Sequence, residues 1–212
     1  MTDAGDSHYF AQRPSVRSQP REIEAEVRGQ HLSFVTDRGV FSYGRVDSGS
    51  RLLAEQMKLP ADGELLDWGC AWGLLGIVAK RLRPELHVTM VDINERACDL
   101  ARENLGRNQV EAEVLCGDAE AVLAGRSFDA IVCNPPISAG RAAVLAVMDY
   151  AARALRPGGE FWMVAATRKG AKTLARELQA RFADVEQVAM RGGFRIYRAA
   201  GPIDREVEDS DG

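Results

Sequence analysis

Short apolar runs alternate with amphipathic stretches along most of this chain. Runs rich in β-branched and other apolar residues predict buried strands, whereas stretches whose apolar residues recur about every three to four positions predict helices. From residue 63 onward the two patterns alternate, which is typical of a parallel sheet with helices on both faces. The predicted strands are 64–68, 86–91, 111–115, 128–133, 160–166, 184–190 and 193–199, and the predicted helices are 73–82, 94–105, 119–124, 140–155 and 170–182.

The segments at either end complete the predicted fold. Residues 22–28 and 32–36 flank a short turn and predict a β-hairpin, and a helix follows a cap at Asp47 or Ser48. Because residues 191–193 are a short glycine-rich connection, the last two strands are expected to pair antiparallel. We therefore predict an α/β fold: a Rossmann-like doubly wound sheet of seven strands, mostly parallel with an antiparallel C-terminal hairpin strand, plus an N-terminal β-hairpin.

Composition is that of an ordinary globular protein. The chain has 212 residues, 46% of them hydrophobic and 27% charged, which is enough for one full core. We predict a loosely ordered segment at 1–20, a single domain at 21–200 and an acidic, disordered tail at 201–212. No apolar run is long enough to span a membrane, and the polar N-terminus does not resemble a signal peptide. A cytoplasmic protein without a membrane partner is expected.

Cysteine spacing and local charge narrow the possible functions. Cys70, Cys98, Cys116 and Cys133 are not spaced as metal ligands, so small buried thiols are favoured over a metal site or a disulfide. The net charge is −4, yet residues 153–198 carry ten Lys and Arg against four Asp and Glu, a surplus of six positive charges. Such a surplus favours either a phosphate-binding surface or a set of solvated helix faces.

The most informative stretch is Asn134-Pro135-Pro136, directly after the predicted strand 128–133. Both prolines fix φ and lack an N–H, and the first keeps Asn134 out of the helical region. An amide side chain and bare carbonyls therefore stand at the carboxyl end of a strand, where open α/β sheets bind ligands. The Asn134 side-chain oxygen and the Pro135 carbonyl are suited to accept the two N–H groups of an exocyclic amine and to stabilise its transition state. A simple tight turn is the alternative.

Glycines and acids at the preceding strand ends suggest a nucleoside cofactor. The loop from Asp67 to Gly73 contains glycines that let a backbone approach a ligand. NAD(P) is an alternative ligand, although the loop lacks the G-x-G-x-x-G spacing of dinucleotide sites. Asp92 ends the next strand and is placed to accept hydrogen bonds from a ribose diol. Asp118 follows the third strand, within reach of an adenine amine. Capping of the following helix is the alternative for each of the last two acids.

Taken together, these residues give the chain a family resemblance. It resembles the class I S-adenosylmethionine-dependent methyltransferases, and more narrowly the "methyltransferase small" domain of the RsmC-like ribosomal RNA guanine-N2 methyltransferases, in a single-domain form. The resemblance implies an N-methyltransferase that acts on an exocyclic amine, guanine N2 of 16S-type ribosomal RNA first among the candidates. It is carried by Gly39–Ser42, Asp47–Leu53, Asp67–Gly76, Asn134–Pro136 and Gly193–Ala199.

The resemblance also implies roles for individual residues. Catalytic residues would be Asn134, Pro135 and Pro136. The implied binding residues for S-adenosylmethionine are Asp67, Gly69, Cys70, Ala71 and Gly73 around the methionine part, Asp92 at the ribose, Ile93, Asp118 and Ala119 at the adenine, and Asn134. Candidate substrate-binding residues are Val40, Phe41 and Ile137 as walls for the base, and Arg141 as a phosphate contact.

Two departures from the family pattern keep alternatives open. Ala71 stands where the family usually has glycine, and Ile137 where many amino methyltransferases have an aromatic residue. The alternatives are a methyltransferase for protein glutamine N5, adenine N6 or a small molecule, and a non-catalytic RNA-binding module with a decayed cofactor pocket. Contacts with RNA are expected from residues 1–45 and from the basic C-terminal half. The sequence does not indicate whether the protein is a monomer or a dimer.

Overall fold

The computed structural model describes residues 12–135, 139–167 and 171–203. In chain order the elements are β1 (Arg21–Val27), β2 (Gln30–Thr36), α1 (Ser48–Gln56), β3 (Gly63–Trp68), α2 (Leu74–Leu82), β4 (Leu86–Asp92), α3 (Glu95–Arg107), β5 (Glu113–Cys116), α4 (Ala119–Val122), β6 (Phe128–Cys133), α5 (Arg141–Ala154), β7 (Leu155–Ala166), α6 (Ala171–Gln179), β8 (Phe182–Arg191) and β9 (Phe194–Pro202).

Strands β3 to β9 form one seven-stranded sheet in the order β5-β4-β3-β6-β7-β9-β8. The neighbours from β5 to β7 pair parallel, and β9 lies antiparallel between β7 and β8. Strands β1 and β2 form a separate antiparallel pair. The predicted fold class, including the antiparallel C-terminal strand and the N-terminal hairpin, is confirmed.

Two hydrophobic cores lie on the opposite faces of the sheet. Leu65 on β3 packs in the core that contains α1, α2, α3 and the hairpin, whereas its neighbour Leu66 packs in the core that contains α5 and α6. Successive strand residues alternate between the two cores because their side chains point to opposite faces. Both leucines are fully buried, which stabilises the fold by about 1.5–3 kcal/mol for each side chain.

Asn104 of α3 and Asn108, the C-cap of that helix, attach the hairpin to the domain. Asn104 accepts the Val35 N–H at 2.7 Å and donates to the Val35 carbonyl at 3.0 Å. Asn108 does the same for Ser33, at 3.1 and 2.7 Å. Four residues along a helix and two along a strand both span roughly 6–7 Å, so the two amides match the free edge of β2. The two asparagine side chains thus make the hydrogen bonds that a neighbouring strand would otherwise make with β2.

The largest difference from the predicted elements is at the start of β7. We expected the strand to begin at residue 160, but it begins at Leu155 and pairs with β6 through a register irregularity. Residues 156–159, which the sequence places between a helix and a strand, are thus part of the strand. Gly158 has φ 80°, and a Cβ on Gly159 would lie 3.0 Å from two carbonyl oxygens, so glycine is needed at both positions.

The described parts of the chain ends are bonded to the domain. The Glu95 N–H donates to the Gln12 carbonyl at 2.9 Å, and Arg96 donates to the Val16 carbonyl at 3.1 Å. At the other end β9 continues to Pro202. The rest of the predicted loose segment and of the predicted acidic tail lies outside the described residues. Within the described ranges, no helix combines the length and the apolar character needed to cross a membrane.

Candidate active site

The carboxyl ends of β3, β4, β5 and β6 open into one cavity of about 700 Å³. Most of the residues that the sequence singled out line this cavity. They are Val40, Phe41, Asp67, Gly69, Cys70, Ala71, Asp92, Ile93, Asp118, Ala119, Asn134 and Pro135. Gly73 and Arg141 are not among its lining residues, and the predictions for Pro136 and Ile137 concern positions outside the described residues.

The loop between β3 and α2 folds over the end of β4. The N–H groups of Gly69 and Cys70 both donate to the Val91 carbonyl, at 2.9 and 3.0 Å. Gly69 has φ 72°, and a Cβ added there would meet nothing within 4 Å, so the loop backbone faces open space. Gly73, with φ 94°, then turns the chain into α2. The backbone of this loop is therefore free to approach a ligand.

Asp92 holds the same loop in a strained conformation. Its Oδ2 accepts the Ala71 N–H at 2.9 Å, and its Oδ1 accepts the Asn94 N–H at 2.9 Å. Ala71 has φ 50°, in the left-handed region that favours glycine. Burial raises the pKa of Asp92, while the three backbone N–H groups that it accepts, those of Asn94, Ala71 and Ile93, lower it. Asp92 therefore positions the loop as well as facing the cavity.

Asp67 is a buried carboxyl with one unsatisfied oxygen. Its Oδ2 accepts the Gly76 N–H at 2.9 Å, but its Oδ1 has no hydrogen-bond partner among the described residues. Burial raises the pKa of Asp67 to about 7; the Gly76 N–H opposes this rise and the charge of Asp92 adds to it. Because a buried polar atom without a partner is costly, this oxygen points to a ligand with an N–H or a positive charge.

Asn134 is tied to the first turn of α1. Its Nδ2 donates to Ser50 Oγ at 2.8 Å and to Asp47 Oδ2 at 3.3 Å. Asp47 is also the N-cap of α1, since its Oδ2 accepts the Ser50 N–H at 2.8 Å. None of the described residues forms a hydrogen bond with Asn134 Oδ1. From the sequence, Asp47 was predicted only as a helix cap and Ser50 only as part of a family segment, and their contact with Asn134 was not predicted.

Asp118 and Ile93 lie at the opposite end of the cavity. Asp118 is the N-cap of α4, and its Oδ1 accepts the Ala121 N–H at 3.1 Å, so the capping alternative is observed. Ile93 is an apolar side chain that is 40% exposed in the cavity wall. The N-cap of α3 is Asn94 rather than Asp92. The apolar side chain of Ile93 can pack against a base. The second carboxylate oxygen of Asp118, which does not cap α4, can accept a hydrogen bond from an exocyclic amine of that base.

The loop of residues 37–47 borders the cavity on the α1 side. The Phe41 carbonyl accepts a hydrogen bond from Trp72 Nε1 at 3.0 Å, and the Gly39 carbonyl accepts one from Asn94 Nδ2 at 2.8 Å. These bonds fix the 37–47 loop to its neighbours. Val40 is buried and Phe41 is 42% exposed, so Phe41 is the more accessible wall. Trp68, Trp72 and Phe194 also line the cavity and were missed because each reads as ordinary core.

Arg141 is engaged by another side chain. It starts α5 and forms an ion pair with Glu177. A contact of Arg141 with phosphate stays a prediction. Among the residues that the structure describes, no group of three or more His, Cys, Asp and Glu is placed to hold a metal ion.

Comparison with known proteins assigns the family. The family model described as methyltransferase small domain matches residues 31–198. The chain belongs to this family. The family predicted from the sequence is therefore confirmed. The chain is 33% identical over 195 residues to the uncharacterized protein YbxB of Bacillus subtilis (strain 168), covering 91% of this chain and 97% of YbxB.

Other relatives of the methyltransferase small domain family carry descriptive names. Ribosomal RNA small subunit methyltransferase C of Stutzerimonas stutzeri (strain A1501) is 35% identical over 191 residues, covering 88% of this chain and 56% of that protein. The solved T. thermophilus 16S rRNA N2 G1207 methyltransferase (RsmC), in complex with AdoMet and guanosine, superposes with a TM-score of 0.77 at 28% identity, covering 89% of this chain and 52% of that one. The chain thus spans about half the length of these two relatives.

Proposed function

We propose that this protein is an S-adenosylmethionine-dependent N-methyltransferase that acts on an exocyclic amine, with guanine N2 of ribosomal RNA as the acceptor. The observation that carries the proposal is the amide of Asn134. Its NH₂ is held by Ser50 and Asp47, so its oxygen remains as a hydrogen-bond acceptor beside Pro135 in the cavity. The names of the relatives support the acceptor, and a cytoplasmic location fits an enzyme for ribosomal RNA.

The residues of the cavity fit the proposed cofactor. The unsatisfied Oδ1 of Asp67 suits the α-ammonium group of the methionine part. Asp92 would accept hydrogen bonds from the ribose, Ile93 would pack on the adenine, and Asp118 would accept from the adenine amine. When bound, the cofactor supplies a methyl group on a positively charged sulfur. Gly69 leaves room for its close approach.

The residues around Asn134 would hold the amine and orient it. Asn134 Oδ1 and the Pro135 carbonyl accept the two N–H groups of the amine, which directs the nitrogen lone pair away from them. Such fixed dipoles stabilise the charge that develops on nitrogen, and alignment of the reactants supplies much of the remaining rate enhancement. No strong base is required, because the amine proton leaves after the new N–C bond has formed. A guanine in structured RNA must leave its stack to reach this position.

The 37–47 loop is the surface that we propose for RNA. The two acids of the loop have partners within the protein: Asp37 is buried and pairs with Arg96 at 3.6 Å, and Asp47 caps α1. Its two arginines, Arg38 and Arg45, are exposed. Part of the basic surplus of residues 153–198 is compensated by acids outside that range, since ion pairs join Arg153 to Glu120, Arg156 to Asp129, Arg181 to Asp149 and Arg191 to Glu55. The loop therefore offers positive charge next to the cavity.

Replacement of Asn134 tests the proposal. Asn134→Ala removes one acceptor for the amine but none of the proposed cofactor contacts around Asp67 and Asp92. We expect methyl transfer from labelled S-adenosylmethionine to ribosomal RNA to fall by at least about a hundredfold, the typical loss for one such group. Calorimetry should find nearly unchanged affinity for the cofactor.

The same assay separates the remaining acceptors. Label in ribosomal RNA that appears as N2-methylguanosine after digestion supports the proposal. Label in the protein fraction would instead indicate a glutamine amide, and label as N6-methyladenosine would indicate adenine. Turnover of the Asn134→Ala variant equal to that of the wild type would contradict the role of Asn134. Absence of any heat with S-adenosylmethionine would contradict the cofactor.

A further inference from the structure

We infer that Asp47 and Ser50 are positioning residues that hold the Asn134 amide in one orientation, with its oxygen toward the acceptor, so that the site selects acceptors bearing N–H groups. This inference rests on the proposed function. It assigns a role to the Asp47–Ser50 segment that goes beyond the capping of α1.

The orientation follows from the chemistry of the two partners. Asn134 Nδ2 lies 3.3 Å from Asp47 Oδ2 and 2.8 Å from Ser50 Oγ. An ionised carboxylate accepts hydrogen bonds and cannot donate them. If the amide were turned by 180°, its oxygen would face the Asp47 carboxylate, with no hydrogen between them. The NH₂ group must therefore face α1, and the oxygen is left for a ligand.

The partners of the amide are themselves fixed. Asp47 Oδ2 accepts the Ser50 N–H, and the Arg51 N–H donates to the Asp47 carbonyl, so the first turn of α1 holds both residues. A Cβ on Gly49 would lie 2.8 Å from the ring of Phe194, which shows how closely this turn is packed. Ser50 is 8% exposed, and hydrogen bonds in such poorly solvated places are stronger than in water.

Asn134 is restrained from its other side as well. Pro135 follows it and disfavours the helical region for its backbone. The side chain is therefore held at both ends, by the proline at the backbone and by α1 at the amide. A group that is already oriented loses little freedom when the acceptor binds, and this is the condition for efficient stabilisation of a transition state.

The consequence is selectivity for the kind of atom that is methylated. An amine brings two N–H donors and satisfies the Asn134 oxygen. A ring nitrogen or a carbonyl oxygen brings a lone pair and would leave two acceptors facing each other without a hydrogen. Sites built to hydrogen-bond one group reject analogues that lack it, because their own polar atoms are left unpaired.

Two variants test this role, and Ser48→Ala provides the matched control. Ser50→Ala removes the nearer acceptor. Asp47→Asn removes the carboxylate but keeps a residue that caps helices well, so α1 should still form. Ser48→Ala makes the same change as Ser50→Ala at an exposed position of the same turn. We expect Ser50→Ala to lower kcat about tenfold, as for one lost hydrogen bond, and Ser48→Ala to have no effect. Asp47→Asn should lower kcat less than Ser50→Ala, because its side-chain oxygen can still accept both N–H groups that Asp47 Oδ2 accepts and only the charge is lost.

A purely structural role would not produce the same pattern of results. If the two residues act through Asn134, kcat falls while the affinity for S-adenosylmethionine and the thermal midpoint change little. In nitrogen-15 spectra, the Asn134 side-chain NH₂ signals are identified by their loss in Asn134→Ala. We expect their exchange with solvent to be about tenfold faster in Ser50→Ala than in the wild type, again as for one lost hydrogen bond.

The results separate failure of this inference from failure of the proposed function. Equal kcat values for Ser50→Ala and Ser48→Ala in an active protein would overturn the positioning role and leave the proposed function intact. A wild-type protein that methylates no amine would overturn the proposed function. In that case the exchange rates still decide whether the two residues hold the amide, since unchanged exchange in Ser50→Ala would contradict it.

Discussion

At the scale of single residues, the backbone of Ala71 stands out. Its φ of 50° lies in a region that costs a residue with a Cβ roughly 1–2 kcal/mol, and the hydrogen bond to Asp92 holds it there. Ala71→Gly should therefore raise the free energy of unfolding by about 0.5–1 kcal/mol, because relief of this strain exceeds the greater entropy of glycine in the unfolded chain. A shift of the urea midpoint to higher concentration would agree, and a lower midpoint would contradict the strain.

The pKa of Asp67 makes a second residue-scale prediction, for the ligand-free protein. Burial raises this pKa from 3.8 to about 7, so the folded state holds a proton that the unfolded state releases between these values. The stabilising contribution is complete below pH 3.8 and is lost as pH rises toward and through 7. Since each pKa unit corresponds to about 1.4 kcal/mol, a few kcal/mol are involved.

The Asp67→Asn variant isolates this contribution. Asparagine keeps an oxygen for the Gly76 N–H but does not titrate, so the difference in unfolding free energy between wild type and variant should change with pH over this range. Denaturant titrations at several pH values measure that difference. If it stays constant from pH 4 to pH 8, Asp67 does not carry the shifted pKa.

At the scale of elements, buried polar side chains add hydrogen bonds to the hydrophobic contact between α3 and the hairpin. Asn104 is fully buried and bonds to both backbone groups of Val35 and, at 2.8 Å, to the Trp72 carbonyl. Asn104→Ala leaves these groups buried and unpaired, at a cost of about 1–3 kcal/mol each before the structure relaxes. We expect the free energy of unfolding to fall by about 3 kcal/mol in total.

A neighbouring arginine provides the comparison for Asn104. Arg107 is on the same helix, and its side chain forms ion pairs with Glu22 and Glu103 at the surface. Exposed ion pairs contribute about 0–1 kcal/mol, so Arg107→Ala should have a small effect on urea unfolding. Similar losses for the two variants would contradict the attachment of the hairpin through the amides.

At the scale of the whole molecule, the distribution of charge bears on where the RNA that we propose as substrate would bind. The net charge is −4, so the average field does not attract a polyanion and a local surface must do so. Arg45, exposed next to the cavity, is our candidate for such a contact. Arg45→Glu should weaken binding to a ribosomal RNA fragment about tenfold and reduce the salt dependence by about one counterion.

Arg83 is a matched control for Arg45. It is also exposed, but it lies at the end of α2, just before β4, and so at the opposite edge of the sheet from the cavity. Filter binding at several salt concentrations should give the wild-type slope for Arg83→Glu. Equal effects of both changes would mean that RNA binding does not depend on the 37–47 loop.

Local patterns in the sequence were enough to predict the order of strands and helices and the edge of the sheet at which the cavity lies. Parallel strands joined by helices bring all their carboxyl ends to one edge of the sheet, so Asp67, Asp92 and Asn134 had to meet once their strands were recognised. The cap at Asp47 was also predictable, since capping is a local property.

The tertiary structure alone decided what holds these residues in place. Asn134 meets Ser50 and Asp47 across 84 and 87 positions of the chain, and Asn104 meets Val35 across 69. Such contacts depend on how α1 and the hairpin dock on the sheet, which leaves no periodic trace in the sequence. The left-handed backbone of Ala71 likewise arises from its bond to Asp92, because alanine alone favours helix. Local patterns predict elements, whereas the orientation of a side chain depends on residues that only folding brings together.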